Sequence, residues 1–576
     1  MPAGPVTLRW SPEALPPQWR DALVGPGAPF ELREEDVLGV PCAMFAQRPR
    51  SLRAVLQAAV ERFGDLPYLA FPERTLTFAE VAGGAARVAR LLGDDHGVGK
   101  GDRVAIAAAN SLPYALAWWA TACAGAIGVG LNGWWAGPEL EHGIRLTAPK
   151  VVLADARRRE RLAAGGIAVE APLIDLADLV DLADLAGAEA PGGAAGGAAD
   201  PPALPDVGID EDDPVVILFT SGTTGRPKGA LLSHRNVVHA GLAAGLGGAI
   251  GALGSTSLPP PGQAASICAS PFFHVSGALP LVIGPFFGSK LVFAPPGPWD
   301  ETTHLELTER HRVTAWSGVP AQIWRLLQHP DLGSYDLSSL RTVGGGGAMF
   351  PPELLRLVRE CLPGVRMGTG YGMSETFGSG TRLGGAVADA HPGSVGTAEP
   401  GNEVQVREAD GTPLGEGGVG EVCIRSASVF LGYWGDPAAT AAALDDRRWY
   451  RTGDFGRIEG GVLHLESRMR DLIIRGGENV YPIEVENRLA EHPGIADACV
   501  VGVDHAVLGQ EVVAVVVPRP GAALDADQVR AWVAGALAGF KVPAHVVFRE
   551  RLPYTLTGKL LKHEVEAEVA ARLAPG

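Results

Sequence analysis

Strand-length apolar runs alternate with helical stretches through the first half of the chain. The runs RVAIAAA (103–109), KVVLAD (150–155) and PVVILFT (214–220) are apolar almost throughout instead of alternating with polar residues. Such continuous runs are typical of strands that are buried on both faces of a parallel sheet. The pattern therefore predicts an α/β fold whose large N-terminal body has parallel-type sheets covered by helices.

A second pattern begins near residue 399. The segment EVQVREADGTPLGEGGVGEVCIR (403–425) alternates apolar and polar residues around Gly-rich turns, which predicts β-hairpins. We therefore expect a β-rich subdomain over about 399–467, at the end of an N-terminal domain that spans 1–467.

Strands and an amphipathic helix return after a break near 467–471. The runs DACVVGVD (497–504) and EVVAVVVP (511–518) predict strands, and DADQVRAWVAGAL (525–537) predicts a helix. These features predict a small α+β C-terminal domain, 468–576, which a short hinge joins to the body.

A low-complexity segment divides the N-terminal domain. The stretch PGGAAGGAADPPALPD (191–206) has the composition of a flexible linker, which we place near 188–210. The acidic repeat before it, DLADLVDLADLAG (175–187), is either a short surface helix or a disordered arm.

Two uncharged tracts are long enough to raise the question of a membrane span. They cover 104–138 and 271–289. Because Gly, Pro, Asn and His interrupt both, buried strands and helices of a large core explain them better. We predict no transmembrane span, although peripheral contact with a membrane and a homodimer are both compatible with the sequence.

Composition narrows the partners and the compartment. The formal net charge is −17, which argues against a nucleic acid as the main partner but not against a small anionic ligand at a loop or helix end. The six cysteines show no CxxC spacing, so buried free thiols in a reducing compartment are expected instead of a zinc site. The N-terminus is proline-broken and unlike a signal peptide, and we predict a cytoplasmic protein.

The segment FTSGTTGRPKG (219–229) follows the apolar run at 214–220. Small residues allow backbone N–H groups to converge, hydroxyls add donors, and a lysine adds a positive charge, which together suit phosphate oxygens. A Walker A motif cannot be aligned with it, and by itself it is also compatible with a solvated turn. The predicted phosphate-binding residues are Thr220, Ser221, Gly222, Thr223, Thr224, Gly225 and Lys228.

This loop closely resembles the phosphate-binding motif of the acyl-adenylate-forming enzymes, and most of all that of the acyl-CoA synthetases. Six further motifs follow in the order found in that family, and together the motifs extend over about residues 50–565. These motifs are PFFHVSG (271–277), GGGGAMFPPEL (344–354), GYGMSET (370–376), YRTGD (450–454), RMRDLIIRGGENVYPIEVE (468–486) and LPYTLTGKLLK (552–562).

The resemblance implies an ATP-dependent, AMP-forming ligase. It would join a carboxylic acid, fatty or otherwise apolar, to coenzyme A through an acyl-adenylate, with ATP, Mg²⁺ and coenzyme A as cofactors. The small C-terminal domain would act as a mobile lid.

The family motifs also imply roles for individual residues in the nucleotide site. Tyr371 offers a flat face to the purine, Ser374 is a phosphate donor, and Glu375 is an oxygen ligand for Mg²⁺ that is bound to the ATP phosphates. Asp454 accepts from the ribose hydroxyls, and Arg468 reaches the ribose and the α-phosphate. The remaining nucleotide-site residues are Gly346, Gly347, Ala348, Gly370 and Gly372.

The catalytic residues implied by the resemblance include groups from both domains. Lys559 would contact the carboxylate and the α-phosphate during adenylation, together with Glu375 and Thr223. His274 would form a gate or wall of the acyl pocket, and Gly477 would give the thiol arm room. Arg470 occupies the hinge position, where relatives usually have Asp or Lys.

Three other functions remain open at this point. The motifs are also compatible with an enzyme that loads the acyl group onto the thiol of a separate carrier protein, and with a non-catalytic sensor of adenylates or acyl groups. A luciferase-like oxygenase would share the adenylation motifs. Because Lys228, Glu375, Asp454 and Lys559 are all present, the catalytic interpretation is favoured over the sensor.

Overall fold

The structure is a computed structural model of the 576-residue chain. It describes residues 4–15, 17–167, 169–179, 203–220, 227–253, 262–346, 350, 352–468, 471–475, 478–505, 508–554 and 560–573.

Helices are distributed along the whole of the described chain. They are α1 (Pro17–Val24), α2 (Leu52–Phe63), α3 (Phe78–His96), α4 (Leu112–Cys123), α5 (Gly137–Thr147), α6 (Ala156–Ala164), α7 (His234–Leu253), α8 (Val275–Phe287), α9 (Glu301–His311), α10 (Pro320–Leu327), α11 (Pro352–Cys361), α12 (Gly385–Ala390), α13 (Pro437–Ala443), α14 (Pro482–Ala490), α15 (Ala526–Ala534) and α16 (Lys562–Leu573).

Strands of the first 346 residues alternate with these helices. They are β1 (Thr7–Arg9), β2 (Leu32–Val37), β3 (Val40–Phe45), β4 (Pro67–Ala70), β5 (Thr75–Thr77), β6 (Arg103–Ala107), β7 (Ile127–Gly130), β8 (Val151–Ala154), β9 (Leu173–Asp175), β10 (Pro214–Thr220), β11 (Lys228–Ser233), β12 (Ala265–Ile267), β13 (Lys290–Val292), β14 (Ala315–Ser317) and β15 (Thr342–Gly346).

Later strands are joined mostly by hairpins. They are β16 (Arg366–Tyr371), β17 (Thr381–Gly384), β18 (Thr397–Ala398), β19 (Glu403–Arg407), β20 (Gly420–Arg425), β21 (Gly432–Tyr433), β22 (Tyr450–Glu459), β23 (Val462–Arg468), β24 (Ile473–Arg475), β25 (Glu478–Val480), β26 (Ile495–His505), β27 (Gly509–Pro518) and β28 (His545–Phe548).

Three sheets build the N-terminal part. Sheet A has the order β21-β11-β10-β7-β6-β8-β9, sheet B the order β18-β17-β16-β15-β14-β12-β13-β4-β5, and sheet C the order β1-β19-β20-β22-β23. The middles of sheets A and B are parallel. Both ends of sheet B and the β21 end of sheet A are antiparallel, whereas β9, at the other end of sheet A, pairs with β8 in parallel, and sheet C is antiparallel throughout. The predicted α/β body with parallel-type sheets is confirmed.

A fourth sheet belongs to the C-terminal part of the chain. Sheet D has the order β25-β24-β27-β26, and β28 pairs with β27 in parallel. Helices α14 and α15 bury Val485 and Val529 against one face of this sheet, and α16 buries Val565 against the other. The small α+β C-terminal domain is therefore also confirmed as a fold.

The uncharged tract at 104–138 is core, as predicted. It forms β6, α4 and β7, and the described side chains of α4 are buried all round except for Pro113. Ser111 begins α4 by accepting a hydrogen bond from the backbone N–H of Tyr114, so the helix has a normal N-cap despite its apolar composition. Sheet A packs beside this helix and buries the apolar surface that a membrane-spanning helix would expose to lipid.

The tract at 271–289 contains α8, which is 13 residues long. Gly288 ends the helix in the left-handed conformation, at φ 65°, and donates its N–H to the carbonyl of Gly284. Among the described helices, none combines the length and the hydropathy needed to cross a membrane.

Two expectations about local structure need correction. Residues Leu176–Leu179 of the acidic repeat form a 3₁₀ turn whose two leucines are buried, so this part is neither a surface helix nor a free arm. It packs beside α4 because Leu176 and Leu179 supply apolar contacts that the Asp-rich composition concealed. Cys361 is half-buried, whereas the other cysteines are buried, and all are free thiols. The linker prediction near 188–210 lies mostly outside the described residues.

An enclosed ion network fixes the strand that leads to the phosphate loop. Arg48 is fully buried and forms paired hydrogen bonds to Glu35 on β2 and to Glu211, just before β10. Arg235, at the start of α7, also contacts Glu211 at 2.9 Å. The network therefore ties the β2–β3 hairpin, the start of β10 and α7 to one another.

Replacing Arg48 with Met should lower the free energy of unfolding by about 3 kcal/mol, because two glutamates would lose a buried cation. Chemical denaturation of the N-terminal domain measures this loss. Arg50→Met is the matched control, because Arg50 reaches the same Glu211 at 2.8 Å while its side chain is 56% exposed. That control should cost less than about 1 kcal/mol. Equal losses in both variants would show that burial of Arg48 adds nothing.

Candidate active site

The predicted phosphate loop lies between two paired strands at one end of sheet A. Strand β10 ends at Thr220, which pairs with Lys228 at the start of β11, and Phe219 pairs with Gly229. A Cβ at Gly229 would lie 2.7 Å from Cγ2 of Ile217, so a side chain there would disturb this pairing. Five predicted residues of the loop, Ser221, Gly222, Thr223, Thr224 and Gly225, lie outside the described residues.

Lys228 is held on the far side of this loop. Its ammonium lies 5.1 Å from the ring centroid of Tyr433, in the geometry of a cation–π contact. Tyr433 is on the short strand β21, which pairs with β11 so that Tyr433 is opposite Ala230. His142 of α5 contacts the carbonyl of Pro227 through Nε2 at 3.1 Å, which fixes the residue just before the lysine.

Glycines let strands β15 and β16 of sheet B approach each other closely. A Cβ at Gly344 would lie 1.8 Å from the carbonyl oxygen of Gly368, and one at Gly346 would lie 3.0 Å from that of Gly370. The backbone itself therefore forms the surface at this end of the strands. Gly347 and Ala348 lie outside the described residues.

Glu375 is on a 3₁₀ turn, Ser374–Thr376, that follows β16. The neighbouring Gly372 has no room for a side chain, since a Cβ there would lie 2.2 Å from the carbonyl oxygen of Gly378. Glu375 is only 6% exposed, and its Oε1 accepts a hydrogen bond of 2.9 Å from the hydroxyl of Tyr433. Its backbone carbonyl accepts from the N–H of Phe430 at 2.8 Å.

A carboxylate in this position suits Mg²⁺. Within the described part of the chain, no group of three or more His, Cys, Asp or Glu side chains could hold a metal ion by itself. Mg²⁺ typically takes one or two protein carboxylates and completes its coordination with phosphate and water oxygens. A single buried glutamate at the phosphate end of the site fits that pattern.

Asp454 and Tyr371 join two sheets. The hydroxyl of Tyr371, at the end of β16, donates to Oδ2 of Asp454 on β22 at 2.9 Å, and both residues are at least 91% buried. Asp454 donates its N–H to Oγ1 of Thr452 at 3.0 Å and pairs with Arg468 across β22 and β23. The predicted ribose acceptor and the predicted purine platform are therefore in direct contact.

His274 is at the start of α8, where its backbone N–H donates to the carbonyl of Pro271 at 3.1 Å. Its ring centroid lies 4.9 Å from that of Phe273 and 6.3 Å from that of Trp134. The edge-to-face pair of Trp134 and Phe273 is 5.2 Å apart. These three side chains form an aromatic cluster, and Trp134 is its most exposed member.

The aromatic cluster and the glutamate turn are connected through α8. A Cβ at Gly378, just beyond the turn, would lie 3.3 Å from Cγ2 of Val275 and 3.2 Å from Cδ2 of Leu279. The start of α8 therefore carries His274, and the next turn packs Val275 and Leu279 against the segment that follows Glu375.

The segment that contains Lys559 is anchored on both sides. Before it, the hydroxyl of Tyr554 donates to Oδ2 of Asp497 on β26 at 2.8 Å. After it, the ammonium of Lys562 pairs with Oε1 of Glu486 on α14 at 2.9 Å. Lys559, Gly477 and Arg470 lie outside the described residues.

Comparison with known proteins identifies the family. The model of the AMP-binding enzyme family matches residues 56–434, and that of the AMP-binding enzyme C-terminal domain matches 484–559. The chain belongs to the AMP-binding enzyme family, so the resemblance to acyl-CoA synthetases is confirmed. It is an AMP-forming acid–thiol ligase, and its cofactors are ATP, Mg²⁺ and coenzyme A.

Individual relatives agree over most of their length. A feruloyl-CoA synthase of Amycolatopsis sp. is 36% identical over 491 residues, which are 85% of this chain and 93% of that protein. A mitochondrial medium-chain acyl-CoA ligase of Danio rerio is 32% identical over 551 residues, or 90% and 88% of the two chains. The ATP-bound crystal structure of MatB from Rhodopseudomonas palustris superposes with a TM-score of 0.77 at 30% identity and covers 90% of this chain and 99% of its own.

Sequence reasoning missed the tyrosine that joins the two charged groups. It singled out Lys228, Glu375, Tyr371 and Asp454. The hydroxyl of Tyr371 binds Asp454, whereas Lys228 and Glu375 both contact Tyr433, the lysine through the ring face and the glutamate through the hydroxyl. Tyr433 was overlooked because it lies outside the quoted motifs. Only the tripeptide Gly-Tyr-Trp at 432–434, an aromatic pair after a hairpin, marks its position.

Alanine at position 344 should disrupt the backbone surface between β15 and β16. Because its Cβ would overlap the carbonyl of Gly368, Gly344→Ala should weaken ATP binding at least tenfold and lower the temperature of unfolding. Isothermal titration with ATP and thermal unfolding measure the two effects.

The matched control is on the facing strand. A Cβ at Gly368 would be 3.7 Å from its nearest neighbour, the carbonyl oxygen of Leu383, which is an ordinary contact. Gly368→Ala should therefore keep the affinity for ATP within about twofold of wild type and cost little stability. If both variants bind ATP equally well, close approach of these strands is not what builds the site.

Proposed function

We propose that this enzyme joins an apolar carboxylic acid to coenzyme A in two steps at one site. In the first, an oxygen of the acid attacks the α-phosphorus of ATP, and pyrophosphate leaves. In the second, the sulfur of coenzyme A attacks the acyl carbon, and AMP leaves. The observation that carries this proposal is a pair of hydrogen bonds from tyrosine hydroxyls to buried carboxylates, Tyr433 to Glu375 beside Lys228 and Tyr371 to Asp454.

Different described residues would bind different parts of the nucleotide. Lys228, with Thr220 and the adjoining loop, would bind phosphate oxygens as a positive charge with hydroxyl and N–H donors. Ser374 begins the glutamate turn and would add another donor. Glu375 would hold Mg²⁺, which when bound neutralises part of the charge on the phosphates.

The sugar and the base would lie toward sheet C. Asp454 is an acceptor and therefore suits a ribose diol, and Arg468 pairs with it along the strands. The ring of Tyr371 would flank the purine. The hydrogen bond from Tyr371 to Asp454 fixes the two side chains relative to each other. The positions of the base and the sugar would therefore depend on one another.

Adenylation requires the meeting of two anions, so charge neutralisation and positioning supply most of the catalysis. No protein nucleophile is needed. We assign the decisive cation to Lys559, which would contact the carboxylate and the α-phosphate, with Thr223 as a phosphate donor. These two roles follow from the position of each residue in its motif.

Transfer to coenzyme A requires a different arrangement of the C-terminal domain. We assign residues 468–576 to this domain and the hinge to Arg470. In the second step Lys559 would withdraw, and Gly477 would leave space for the thiol arm. The N-terminal domain, 1–467, would then keep the acyl-adenylate in place.

The acid is proposed to be apolar because of the groups near α8. His274 with Phe273 and Trp134 form an aromatic wall, and Val275 and Leu279 supply aliphatic contacts beside Gly378. An apolar pocket recognises its ligand mainly through buried area. Relatives named for ferulate and for medium-chain acids indicate that both aryl and alkyl acids should be tested.

The place of action is proposed to be the cytoplasm. Each cysteine is a free thiol, and buried thiols of this kind persist in a reducing compartment. Contact with a membrane surface and formation of a homodimer stay predictions.

A panel of carboxylic acids tests the proposal. Pyrophosphate release with ATP and Mg²⁺ should depend on an aryl or alkyl acid, and acyl-CoA should form only when coenzyme A is added. Dicarboxylic acids of similar length serve as polar controls, and they should react at least tenfold more slowly because burial of a second carboxylate is costly. A panel in which polar acids react best would contradict the apolar pocket.

Lys559→Ala should separate the half-reactions. Loss of the cation should raise the barrier to adenylation by on the order of 3 to 4 kcal/mol, which slows it several-hundred-fold. Transfer from a synthetic acyl-adenylate to coenzyme A should change less than about threefold, because that step does not use the lysine. Lys150→Ala is the control, since Lys150 is a partly exposed lysine that pairs with Asp102. Equal slowing of both steps would contradict the assigned role.

A further inference from the structure

The two steps proposed above assign no task to Tyr433 itself, yet this residue contacts two of the side chains that those steps use. Its hydroxyl donates to Oε1 of Glu375 at 2.9 Å, and its ring face lies 5.1 Å from the ammonium of Lys228. Lys228 and Glu375 are 147 positions apart in the sequence, and Tyr433 is 58 positions beyond the glutamate. The side chain of Tyr433 therefore contacts both Lys228, the cation proposed to bind phosphate, and Glu375, the carboxylate proposed to bind Mg²⁺.

The backbone of Tyr433 is fixed from two sides. On one side β21 pairs with β11, and the flanking N–H groups of Leu431 and Trp434 donate to the carbonyls of Leu231 and Gly229 at 2.8 Å each. On the other side its own N–H donates to Oγ1 of Thr440 at 2.9 Å.

Packing also restricts the ring. Phe430 lies edge-to-face against Tyr433, with centroids 4.9 Å apart. Phe430 itself is fully buried, and its N–H donates to the carbonyl of Glu375 at 2.8 Å. Phe430 therefore contacts both the ring of Tyr433 and the backbone of Glu375.

The chemistry of a phenol suits this position. A tyrosine hydroxyl carries a proton at neutral pH, and here it donates that proton in a hydrogen bond to the Glu375 carboxylate. A neutral donor orients a carboxylate without cancelling its charge, whereas an arginine or lysine would compete with a bound cation.

We propose that Tyr433 is a positioning residue that orients the Glu375 carboxylate and the Lys228 ammonium together for Mg²⁺-bound ATP. It acts through these two side chains and does not itself touch the reacting atoms. The inference rests on the role proposed for Glu375, which the experiment tests separately.

Two substitutions separate the contributions of the hydroxyl and the ring. Tyr433→Phe removes the donor to Glu375 and keeps the ring near Lys228. Tyr433→Leu removes both contacts. Tyr335→Phe is the matched control, because Tyr335 packs against His329 in a different cluster, with ring centroids 5.9 Å apart.

Binding is measured by isothermal titration with α,β-methylene-ATP, which does not release pyrophosphate, in excess Mg²⁺ and again in excess chelator. The ratio of the two affinities reports how far Mg²⁺ strengthens binding. Tyr433→Phe should lower this ratio about tenfold, the scale of one hydrogen bond to a charged group, with little change in the affinity without Mg²⁺. Tyr433→Leu should also weaken binding without Mg²⁺, and Tyr335→Phe should match wild type.

A double-mutant cycle shows whether Tyr433 acts through the glutamate. Glu375→Gln alone should lower the Mg²⁺ ratio, and adding Tyr433→Phe should lower it no further, because the two changes remove one interaction. An unchanged ratio in Glu375→Gln would refute the metal role of Glu375, whatever Tyr433 does. A lowered ratio in Glu375→Gln with an unchanged ratio in Tyr433→Phe would refute the inference alone.

Thr440→Val provides a second route if Tyr433→Phe does not fold. It keeps the phenol and removes the hydroxyl that accepts from the N–H of Tyr433. We expect a fall of about threefold in the Mg²⁺ ratio, since a looser strand orients the carboxylate less well. A ratio equal to that of wild type in a folded Thr440→Val protein would count against positioning by this strand.

Discussion

Two hydrogen bonds from tyrosine hydroxyls to buried carboxylates hold the site together. Tyr371 of sheet B donates to Asp454 of sheet C, and Tyr433 of sheet A donates to Glu375 on the turn that follows sheet B. A carboxylate that loses water on burial is costly unless other groups hydrogen-bond to it. The two hydrogen bonds that offset the desolvation of Asp454 and Glu375 therefore also connect the three sheets.

This arrangement answers an electrostatic difficulty. The chain has a net charge of −17, and the proposed site would hold a polyanionic nucleotide beside two buried carboxylates. Phenol donors stabilise these carboxylates without forming an ion pair with them, which suits the roles that we propose, Glu375 as a metal ligand and Asp454 as an acceptor for the sugar. Lys228, which contacts the ring of Tyr433, would supply positive charge for the phosphates. Local charges and donors at the site therefore oppose the negative net charge of the whole chain.

Much of this architecture could be predicted because local sequence determines it. Buried strands such as β10 and β27 are recognisable as continuous apolar runs, and the glycines at 344 and 346 mark a close approach of backbones. Leu176 and Leu179 were misjudged because a short acidic repeat gives no sign that its leucines face a core. Tyr433 was missed for a different reason. Its importance depends on the register between β21 and β11, and pairing between segments 200 residues apart cannot be derived from either segment.

The C-terminal part of the chain places a constraint on how Lys559 can act. Tyr554 is tied to Asp497 on one side of the lysine, and Lys562 is tied to Glu486 on the other. Leu560 also forms a bridge with Tyr554, so the described residues on both sides of 555–559 are attached to sheet D and α14. If the lysine is present for adenylation and absent for thiol transfer, a local rearrangement around it would break these contacts. Rotation of the whole domain about the hinge preserves them, and this makes rigid-body movement the less costly route between the two half-reactions.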